Sequence, residues 1–376
     1  MSGGRAYLDW NATAPLRPEA RTAMIAALDV VGNPSSPHAE GRRVRAVVED
    51  AREEVAALVG ARSAEVVFTS GGTEANGAVF AGGWQTIYVA GIEHDSVRAP
   101  AWNSKAQVVE LPVDACGVVR AAPLEKCTQQ ASGPRALVSL QMANNETGVL
   151  QPVAAAAAAA RSGGMSVHTD AVQAAGRIAI DFRALGADFL SLSAHKLGGP
   201  KGIGALVIRE GAVLPAFMTG GGQERRRRAG TENVPAIAGF GAAARAAGRD
   251  LAAMDRVRSL RDRLEAEIKA ITPSAVVIGA EAERLPNTSS VALPGASAET
   301  LVIALDLAGV AVSAGAACSS GKVGASHVLD AMGLEPGLAR AAIRVSLGWD
   351  STAADVAAFV AAWNHVAVRR RERAMA

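Results

Sequence analysis

The chain has 376 residues and a formal net charge of +2, and 49% of its residues are hydrophobic and 20% charged. This is the composition of an ordinary globular protein that can bury a large core, and the length favours two domains over one. The nearly balanced charge gives no electrostatic reason to expect nucleic acid or an anionic membrane as the main partner.

Two further features bear on the compartment in which the protein works. The N-terminal segment lacks the apolar core of a secretion signal, and no uncharged apolar run reaches about 18 residues. We therefore expect neither export nor a transmembrane helix. Cys116, Cys127 and Cys318 form neither a metal-ligand spacing nor an even disulfide set. These observations predict a cytoplasmic protein with free thiols.

Between about residues 65 and 208, short apolar runs alternate with helical stretches, which predicts an α/β domain. Ligand sites in open α/β sheets collect at the carboxyl ends of strands, and turn or motif residues follow most of these runs. An alanine run that follows Pro152 predicts a helix over 153–160. The predicted strands are 66–70, 87–90, 137–141, 166–169, 189–192 and 205–208.

A second unit is predicted beyond Arg249. Apolar residues recur at helical spacing over 251–271 and the opposite face is charged, which predicts a long amphipathic helix. That helix would lead to a smaller C-terminal domain with a strand near 289–293.

The first candidate site follows the strand predicted at 66–70. The sequence passes from that strand into Gly71 and Gly72 and then to the start of a helix at Thr73. Glycines allow a close backbone approach to an anion, and a helix N-terminus offers free N–H groups, so this turn predicts a phosphate site. An ordinary helix cap would look similar. The turn lacks the lysine spacing of a Walker loop.

Two other strand ends carry side chains suited to a ring-shaped cofactor. Asp170 follows the strand at 166–169, and a carboxylate there could keep a pyridine nitrogen protonated, with Gln173 close to the ring's other polar substituent. His94 follows another strand and could stack on a planar ring and exchange protons near neutral pH. A helix-capping aspartate and a structural histidine are the alternatives.

The most informative motif is Ser193, Ala194, His195 and Lys196, followed by a glycine-rich run at 197–204. It sets a lysine on a tight turn after an apolar strand, beside a hydroxyl and an imidazole. Such a lysine can form a Schiff base with a carbonyl cofactor while its neighbours bind a phosphate. An isolated lysine of this kind is more often a surface residue.

Two C-terminal features complete the set. Cys318 lies in a small, glycine- and serine-rich segment, 313–324, which predicts an exposed thiol on a mobile loop. An unperturbed thiol has a pKa of about 8.5 and so a useful thiolate fraction near neutrality. Arg344 is a lone arginine in an apolar segment, suited either to a substrate carboxylate or to an internal acidic partner.

In their order and spacing, these motifs resemble those of fold-type I pyridoxal-phosphate enzymes of the class V aminotransferase group, and more narrowly the cysteine desulfurases of the NifS/IscS type. The similarity extends from Tyr7 to Gly348 and includes motifs at 32–38, 144–148 and 230–233. The resemblance implies a large cofactor-binding domain at 14–248 with a mostly parallel seven-stranded sheet. It also implies a smaller α+β domain, formed by 1–13 and 249–376, that carries the cysteine loop.

The resemblance implies a role for each residue around the cofactor. Lys196 would bind pyridoxal 5'-phosphate covalently and move the substrate α-proton. His94 would stack on the ring and assist proton transfer, Asp170 would pair with the pyridine nitrogen, and Gln173 would contact the ring oxygen. The phosphate would be bound by Thr73, Ser193, His195 and, from the second subunit of a homodimer, Thr231.

For the substrate, the resemblance implies that Asn145 and Arg344 hold the carboxylate of L-cysteine, with Asn11 and Asn33 close by. Cys318 would attack the substrate sulfur, become a persulfide and leave L-alanine as the product. The sulfur would pass to an acceptor protein, either an iron–sulfur scaffold or a sulfur relay protein, for cluster assembly or thio-modification. The sequence does not identify which acceptor is used.

Other functions remain open at this point. A selenocysteine lyase or a class V aminotransferase would share the cofactor site, although an aminotransferase needs no thiol such as Cys318. A non-catalytic sulfur-relay or scaffold protein would keep the fold without turnover, and the combination of Lys196, Asp170, His94 and Cys318 argues against it. A nucleotide-binding module is weaker still, because the Thr73 turn lacks its partner residues.

Overall fold

The computed structural model describes residues 5–120, 135–315 and 326–375, with side chains up to residue 368. In chain order the strands are β1 (Ala6–Tyr7), β2 (Val66–Thr69), β3 (Thr86–Ala90), β4 (Gln107–Leu111), β5 (Ala136–Ser139), β6 (Ser166–Asp170), β7 (Phe189–Ser193), β8 (Gly204–Ile208), β9 (Val276–Ile278), β10 (Thr288–Ala292), β11 (Val310–Ala311), β12 (Ser313–Ala314) and β13 (Ala342–Ser346).

The α-helices connect and cover these strands. They are α1 (Pro18–Leu28), α2 (Ala39–Leu58), α3 (Gly72–Phe80), α4 (Asp95–Trp102), α5 (Val153–Ser162), α6 (Phe182–Leu185), α7 (Val234–Arg249), α8 (Met254–Ile271), α9 (Ala298–Leu307), α10 (His327–Ala331), α11 (Pro336–Ala339) and α12 (Ala353–Met375). Short 3-10 turns occupy Ser63–Glu65, Ala194–Lys196, Gln223–Arg226 and Asp250–Ala253. Among the described helices, none has the length and apolar character needed to cross a membrane.

Seven strands form the large sheet, in the order β2-β8-β7-β6-β5-β3-β4. β8 runs antiparallel to both of its neighbours, β2 and β7, and the other neighbouring strands are parallel. The predicted α/β fold with a large, mostly parallel sheet is therefore confirmed. Because most of its strands point the same way, their carboxyl ends meet at one edge, where the predicted motifs lie.

Helices cover both faces of this sheet. Side chains alternate between the faces along a strand, so Val66 and Phe68 join the core beneath α1, α2, α5 and α7, whereas Val67 joins the core beneath α3 and α4. Burial on both faces explains why the central strands are continuous apolar runs in the sequence. The edge strand β4 is only partly buried. Its sequence therefore lacks the continuous apolar run of the central strands, and no strand was predicted there.

The remaining strands form two small sheets. β12-β13-β10-β9 is antiparallel, and β1 pairs with β11 in parallel. A separate apolar cluster lies around these sheets and draws its residues from 6–8 and 254–363. In the amphipathic helix expected at 251–271, Met254, Val257, Leu264 and Ile268 are buried, and the helix begins at Met254 after a 3-10 turn. The domain boundaries at 14–248 and 249–376 stay a prediction.

Candidate active site

A cavity of about 520 Å³ opens at the edge of the large sheet where most strands have their carboxyl ends. It brings together eight of the residues expected from the sequence. These are Thr73, His94, Asn145, Asp170, Gln173, Ser193, His195 and Lys196. The spacing between their motifs in the chain is large, so their meeting in one cavity depends on the sheet topology.

One end of the cavity is built from the turn between β2 and α3. Gly71 and Gly72 start α3 directly after the strand, so the first N–H groups of the helix face the cavity with the Thr73 hydroxyl. Gly204 lets β8 lie against this turn, since a Cβ there would come within 2.6 Å of the Gly71 carbonyl carbon. The close approach of two backbones fixes the shape of this anion-binding end.

His195 and Ser193 lie beside the same turn. Burial and then the positive charges of Lys196 and Lys201 lower the pKa of His195 to about 4, so its ring is neutral at pH 7. The ring nitrogen Nδ1 lies 3.2 Å from the Thr13 hydroxyl. The cluster therefore offers hydroxyls and a neutral imidazole next to a lysine, a donor set suited to a phosphate.

Asp170 ends β6 with its carboxylate largely buried. Its Oδ1 accepts the Val172 N–H at 2.9 Å, and its Oδ2 accepts a hydrogen bond from Asn76 Nδ2 at 2.8 Å. The contact with Val172 is that of a turn-capping aspartate, which was the alternative reading of this residue. The same carboxylate also lines the cavity, so both features occur together.

The loop that carries His94 is held from several directions. Ile92 O accepts hydrogen bonds from Gln141 Nε2 at 2.8 Å and from Asn144 Nδ2 at 3.1 Å. Glu93 is fully buried, and burial, together with the charge of Asp170, raises the pKa of its carboxyl well above 4.5. The imidazole is thereby carried on a loop whose backbone is fixed at the end of β3.

Lys196 ends a 3-10 turn after β7 and points its amine towards the N-terminal segment. Its Nζ donates to Asn11 O at 2.6 Å and to Ala12 O at 2.8 Å. Gln173 Nε2 donates to the same Asn11 carbonyl at 3.1 Å. The lysine and the glutamine thus share an acceptor, which holds their polar ends side by side in the cavity.

Arg177 is a buried cation next to Gln173. Its Nη1 hydrogen-bonds to Gln173 Oε1 and donates to Gln173 O at 2.9 Å. Burial and then the charge of Arg344 lower the pKa of Arg177 to about 9, so it remains charged at pH 7. Because the guanidinium can only donate, it takes the amide oxygen of Gln173 and turns the NH₂ group towards the cavity.

Behind the cavity, the N-terminal segment meets the small sheet at Arg344. Arg344 is 3% exposed, and its Nη2 donates to Asp9 Oδ1 at 2.7 Å, so the internal acidic partner considered from the sequence exists. Its Nη1 donates to Asn145 O at 3.3 Å, and its Nε has no hydrogen-bond partner among the described residues. A buried guanidinium nitrogen of this kind retains the capacity to bind an anion.

Asn11, like Arg344, donates a hydrogen bond to the backbone carbonyl of Asn145. Its Nδ2 donates to Asn145 O at 3.1 Å and to Thr288 Oγ1 at 2.9 Å, and its Oδ1 accepts from Asn287 Nδ2 at 3.1 Å. Neither Asn11 nor Arg344 lines the cavity itself. Both lie directly behind Asn145, which does.

Glu146 adds a second carboxyl to this region. Burial raises its pKa to about 7, although a hydrogen bond from Ser326 and the charge of Arg344 oppose the shift. Ser326 Oγ donates to Glu146 Oε2 at 2.6 Å, and a Cβ on Gly315 would lie 2.8 Å from the same oxygen. The carboxyl therefore contacts the last residue before and the first residue after the stretch 316–325.

Two expected site residues, Thr231 and Asn33, lie away from the cavity. Cys318 is outside the described residues. Thr231 and Asn33 are exposed and do not line the cavity of this chain, and Asn33 Oδ1 instead accepts the Ser35 N–H at 2.8 Å. The exposure of Thr231 is compatible with the expectation that it serves a second subunit, which stays a prediction.

Five residues in or near the cavity were not expected from the sequence: Asn76 and Ser96, which line it, and Asp9, Glu146 and Arg177, which do not. Asn76 lies one helical turn after Thr73 in α3, so helical spacing from that motif residue could have found it. Arg177 lies four residues after Gln173 in a series of turns, where helical spacing does not apply. Ser96 lies two residues after His94, so its closeness in the sequence to a motif residue could have identified it. No local pattern pairs Asp9 with Arg344, because their contact is made by long-range folding.

The residues present fit pyridoxal phosphate. The cavity combines an anion-binding helix start, a lysine amine, a buried carboxylate and an imidazole, which are the groups that its phosphate, carbonyl and pyridine nitrogen require. Among them, Lys196, Asp170 and His94 come from three different strand ends.

Comparisons with known proteins agree with this arrangement. The model of the family described as aminotransferase class-V matches residues 6–359. A cysteine desulfurase from Cereibacter sphaeroides is 45% identical over 94% of this chain and 93% of its own length. The cysteine desulfurase IscS of Dictyoglomus turgidum is 39% identical over 93% of this chain and 91% of its own length.

A solved structure gives the same result in three dimensions. The NifS-like protein of Rickettsia africae superposes with a TM-score of 0.89 and 34% identity, over 96% of this chain and 99% of its own. Family model, relatives and structure thus agree over nearly the whole chain. On this evidence, the chain belongs to the class V aminotransferase family and, within it, to the cysteine desulfurases of the NifS/IscS type.

Proposed function

We propose that the protein binds pyridoxal 5'-phosphate in the cavity and removes sulfur from L-cysteine, with Cys318 as the sulfur carrier. In the overall step, the carbon–sulfur bond of L-cysteine breaks and a sulfur–sulfur bond forms on the Cys318 thiol. The products are L-alanine and a Cys318 persulfide, so atoms and electrons balance without an external oxidant. The observation that carries the proposal is the meeting of Lys196, Asp170 and His94 in one cavity.

The cofactor half of the site would work through seven residues. When bound, pyridoxal phosphate supplies an electron sink that acidifies the substrate α-proton and opens the substrate sulfur to attack. Lys196 Nζ binds the cofactor carbonyl and carries the α-proton. Asp170 holds the proton of the pyridine nitrogen, Gln173 donates to the ring oxygen, and His94 lies against the ring. Thr73 binds the phosphate together with Ser193 and His195.

The substrate half would bind the carboxylate of L-cysteine at Asn145 and Arg344. Arg344 Nε has no hydrogen-bond partner among the described residues, and a carboxylate oxygen reaching it would satisfy a buried donor. Asn11 supports Asn145 from behind through the Asn145 carbonyl. The Cys318 thiolate attacks the substrate sulfur, and a glycine- and serine-rich segment suits a thiol that must then reach an acceptor.

The assembly and setting of the reaction are part of the same proposal. The protein acts as a cytoplasmic homodimer in which Thr231 of each subunit completes the phosphate site of the other. The persulfide sulfur then passes to an acceptor protein for iron–sulfur cluster assembly or thio-modification. The exposure of Thr231 in the single chain supports the first statement, since an exposed hydroxyl is accessible to a partner.

The test measures L-alanine and sulfide released from L-cysteine in the presence of a thiol reductant, for the wild type and for Cys318→Ala. We expect equal amounts of both products from the wild type and loss of both, by at least about 10²-fold, in the variant. Cys116→Ala is the matched control and should retain full activity. Sulfide release that persists in Cys318→Ala would contradict the role of this thiol and favour a lyase reaction.

A further inference from the structure

A chain of hydrogen bonds connects Asp170 to His94 through two residues without an assigned role. Asn76 Nδ2 lies 2.8 Å from Asp170 Oδ2 and 2.9 Å from Ser96 Oγ. Ser96 Oγ lies 2.8 Å from His94 Nδ1, and the Ser96 backbone N–H donates to the same nitrogen at 3.1 Å. Asn76 is 1% exposed, and both Asn76 and Ser96 line the cavity.

The direction of each hydrogen bond follows from its chemistry. A carboxylate only accepts, so Asn76 must present its NH₂ group to Asp170, and the opposite amide orientation would set two oxygens against each other. The second hydrogen of that NH₂ group points to Ser96 Oγ, and Asn76 Oδ1 accordingly has no partner among the described residues. Because Ser96 Oγ accepts from Asn76, its own hydrogen is available to His94 Nδ1.

The protonation state of His94 follows. Nδ1 accepts the Ser96 backbone N–H, so it must keep its lone pair, and the proton of the neutral ring is on Nε2. A proton added to Nδ1 would face the Ser96 N–H. The arrangement therefore favours the Nε2–H tautomer of the neutral His94 ring over the Nδ1–H tautomer.

We propose that Asn76 and Ser96 are positioning residues that hold His94 as a neutral ring with its proton on Nε2 and orient the carboxylate of Asp170. His94 thus presents a hydrogen-bond donor, rather than a lone pair, to a bound substrate. The catalytic consequence rests on the proposed function, whereas the tautomer is a property of the chain alone.

A purely structural role is the competing explanation, since His94 also caps α4 through the Ser96 N–H. A cap needs only that backbone contact, and it needs neither the Ser96 hydroxyl nor Asn76. Substitutions that keep the backbone contact but alter the two side chains therefore separate the two explanations.

The experiment records long-range ¹H–¹⁵N spectra of the histidine rings in full-length, cofactor-free protein. The signals of His94 are assigned by their loss in His94→Gln. Ser96→Thr keeps the hydroxyl, Ser96→Ala removes it, and Asn76→Asp replaces the donor by an acceptor of the same shape. Ser259→Ala, on the exposed side of α8, is the matched control, because its hydroxyl only contacts Asp255 O.

We expect the Nε2–H tautomer in the wild type, Ser96→Thr and Ser259→Ala. In Asn76→Asp the new carboxylate accepts the Ser96 hydroxyl hydrogen, so His94 Nδ1 loses the shorter of its two hydrogen bonds and the Nε2–H tautomer should be less populated than in the wild type. Ser96→Ala should give a mixture of states. In the loaded enzyme, kcat for alanine release should fall at least about 10-fold in Asn76→Asp and Ser96→Ala, with KM for L-cysteine changed less than about 3-fold.

The outcomes decide the proposal separately from the function. An Nδ1–H tautomer in the wild type, or an unchanged tautomer population in both Ser96→Ala and Asn76→Asp, overturns the positioning role, and a changed population with unchanged kcat overturns its catalytic consequence. If Asn76→Asp does not fold, the comparison of Ser96→Ala with Ser96→Thr gives the same decision. A wild type that releases no alanine would refute the proposed function, while the spectra of the cofactor-free chain would still decide the tautomer.

Discussion

One wall of the cavity is built from the ends of neighbouring strands, whereas a second group of residues, of which Asn145 alone lines the cavity, lies where the N-terminal segment meets the small sheet. The first, the sheet-end wall, consists of Asp170, Gln173, Ser193, His195 and Lys196. Its residues lie at or within a few positions of the ends of β6 and β7, two strands paired directly in the sheet. Their positions are therefore set by local chain geometry.

The second, the junction wall, consists of Asp9, Asn11, Asn145, Glu146 and Arg344. Its contacts join residues far apart in the chain, such as Arg344 with Asp9 and Asn11 with Asn145. It also contains a buried ion pair and a buried carboxyl, which are costly to leave without partners. We therefore expect substitutions in the sheet-end wall to lower mainly the turnover rate. Substitutions in the junction wall should also lower the free energy of unfolding.

The largest effect is expected in the sheet-end wall, from Lys196→Ala. Loss of the amine that binds the cofactor and moves the α-proton should lower alanine release on the order of 10³-fold or more. The free energy of unfolding of the cofactor-free chain should change by only about 1 kcal/mol, because Nζ makes hydrogen bonds to carbonyls at a partly exposed position. Turnover and denaturant unfolding measure the two quantities.

Lys105→Ala, which removes an exposed lysine, is the control and should change neither quantity. A Lys196→Ala protein that keeps wild-type turnover, or one that unfolds several kcal/mol more easily, would break the proposed difference between the walls.

The next effect is expected in the junction wall, from Arg344→Met. The substitution leaves the Asp9 carboxylate, whose side chain is 17% exposed, without its partner. Unfolding should become easier by about 2–3 kcal/mol, less than for a fully buried pair, and KM for L-cysteine should rise. Chemical denaturation and steady-state kinetics on the same preparation give both numbers.

Adding Asp9→Asn to Arg344→Met should recover most of the lost stability without restoring KM, because the unpaired charge is removed and the carboxylate ligand is not replaced. Arg263→Met, which breaks an exposed helix ion pair, is the control and should have little effect on stability. Stability equal to wild type in Arg344→Met would show that the pair with Asp9 does not support the junction wall.

A third effect is the pH dependence that Glu146 contributes. Its pKa is raised from the ordinary value of 4.5 to about 7 in the folded chain, because the carboxyl is buried. Between these values the native state retains a proton that the unfolded state has released. The stability from this group is therefore full below about pH 4.5 and is lost as the pH rises towards 7. The loss is at most about 3 kcal/mol.

Glu146→Gln cannot titrate, so the free energy of unfolding measured at pH 5 and at pH 8 should differ less in this variant than in the wild type. Glu281→Gln, at an exposed position, is the control and should keep the wild-type difference. If Glu146→Gln kept the wild-type difference between pH 5 and pH 8, the Glu146 carboxyl would not titrate between these two pH values.

The same contrast explains what could be predicted from the sequence. In the large sheet, burial on both faces gives continuous apolar runs, and the motif after each run identifies the sheet-end wall. Lys196, Asp170 and Thr73 were found in this way, and the structure brings them into one cavity. The partly buried edge strand β4 lacks that pattern and was missed.

The junction wall was predicted less completely, because its contacts are made by tertiary folding. Arg344 was recognised as a lone arginine in an apolar segment, but its pairing with Asp9 depends on the bridge between Asp9 and Ser346, which joins the N-terminal segment to the end of β13. The tautomer of His94 depends likewise on Asn76 and Ser96, whose side chains meet only after α3 and α4 have packed. Cys318 lies outside the described residues, and its role rests on the sequence and the family.

The pairing of β1 with β11 has a consequence for the synthesis of the chain. Ala6 pairs with Val310, so the N-terminal strand β1 cannot form its pairing until the ribosome has synthesised about 300 further residues. At about 5–20 residues per second, that interval lasts on the order of 15–60 s. The large sheet can form during this time, but the carbonyls of Asn11 and Ala12 reach Lys196 only when the N-terminal segment docks. The active site is therefore completed near the end of translation, after its framework has folded.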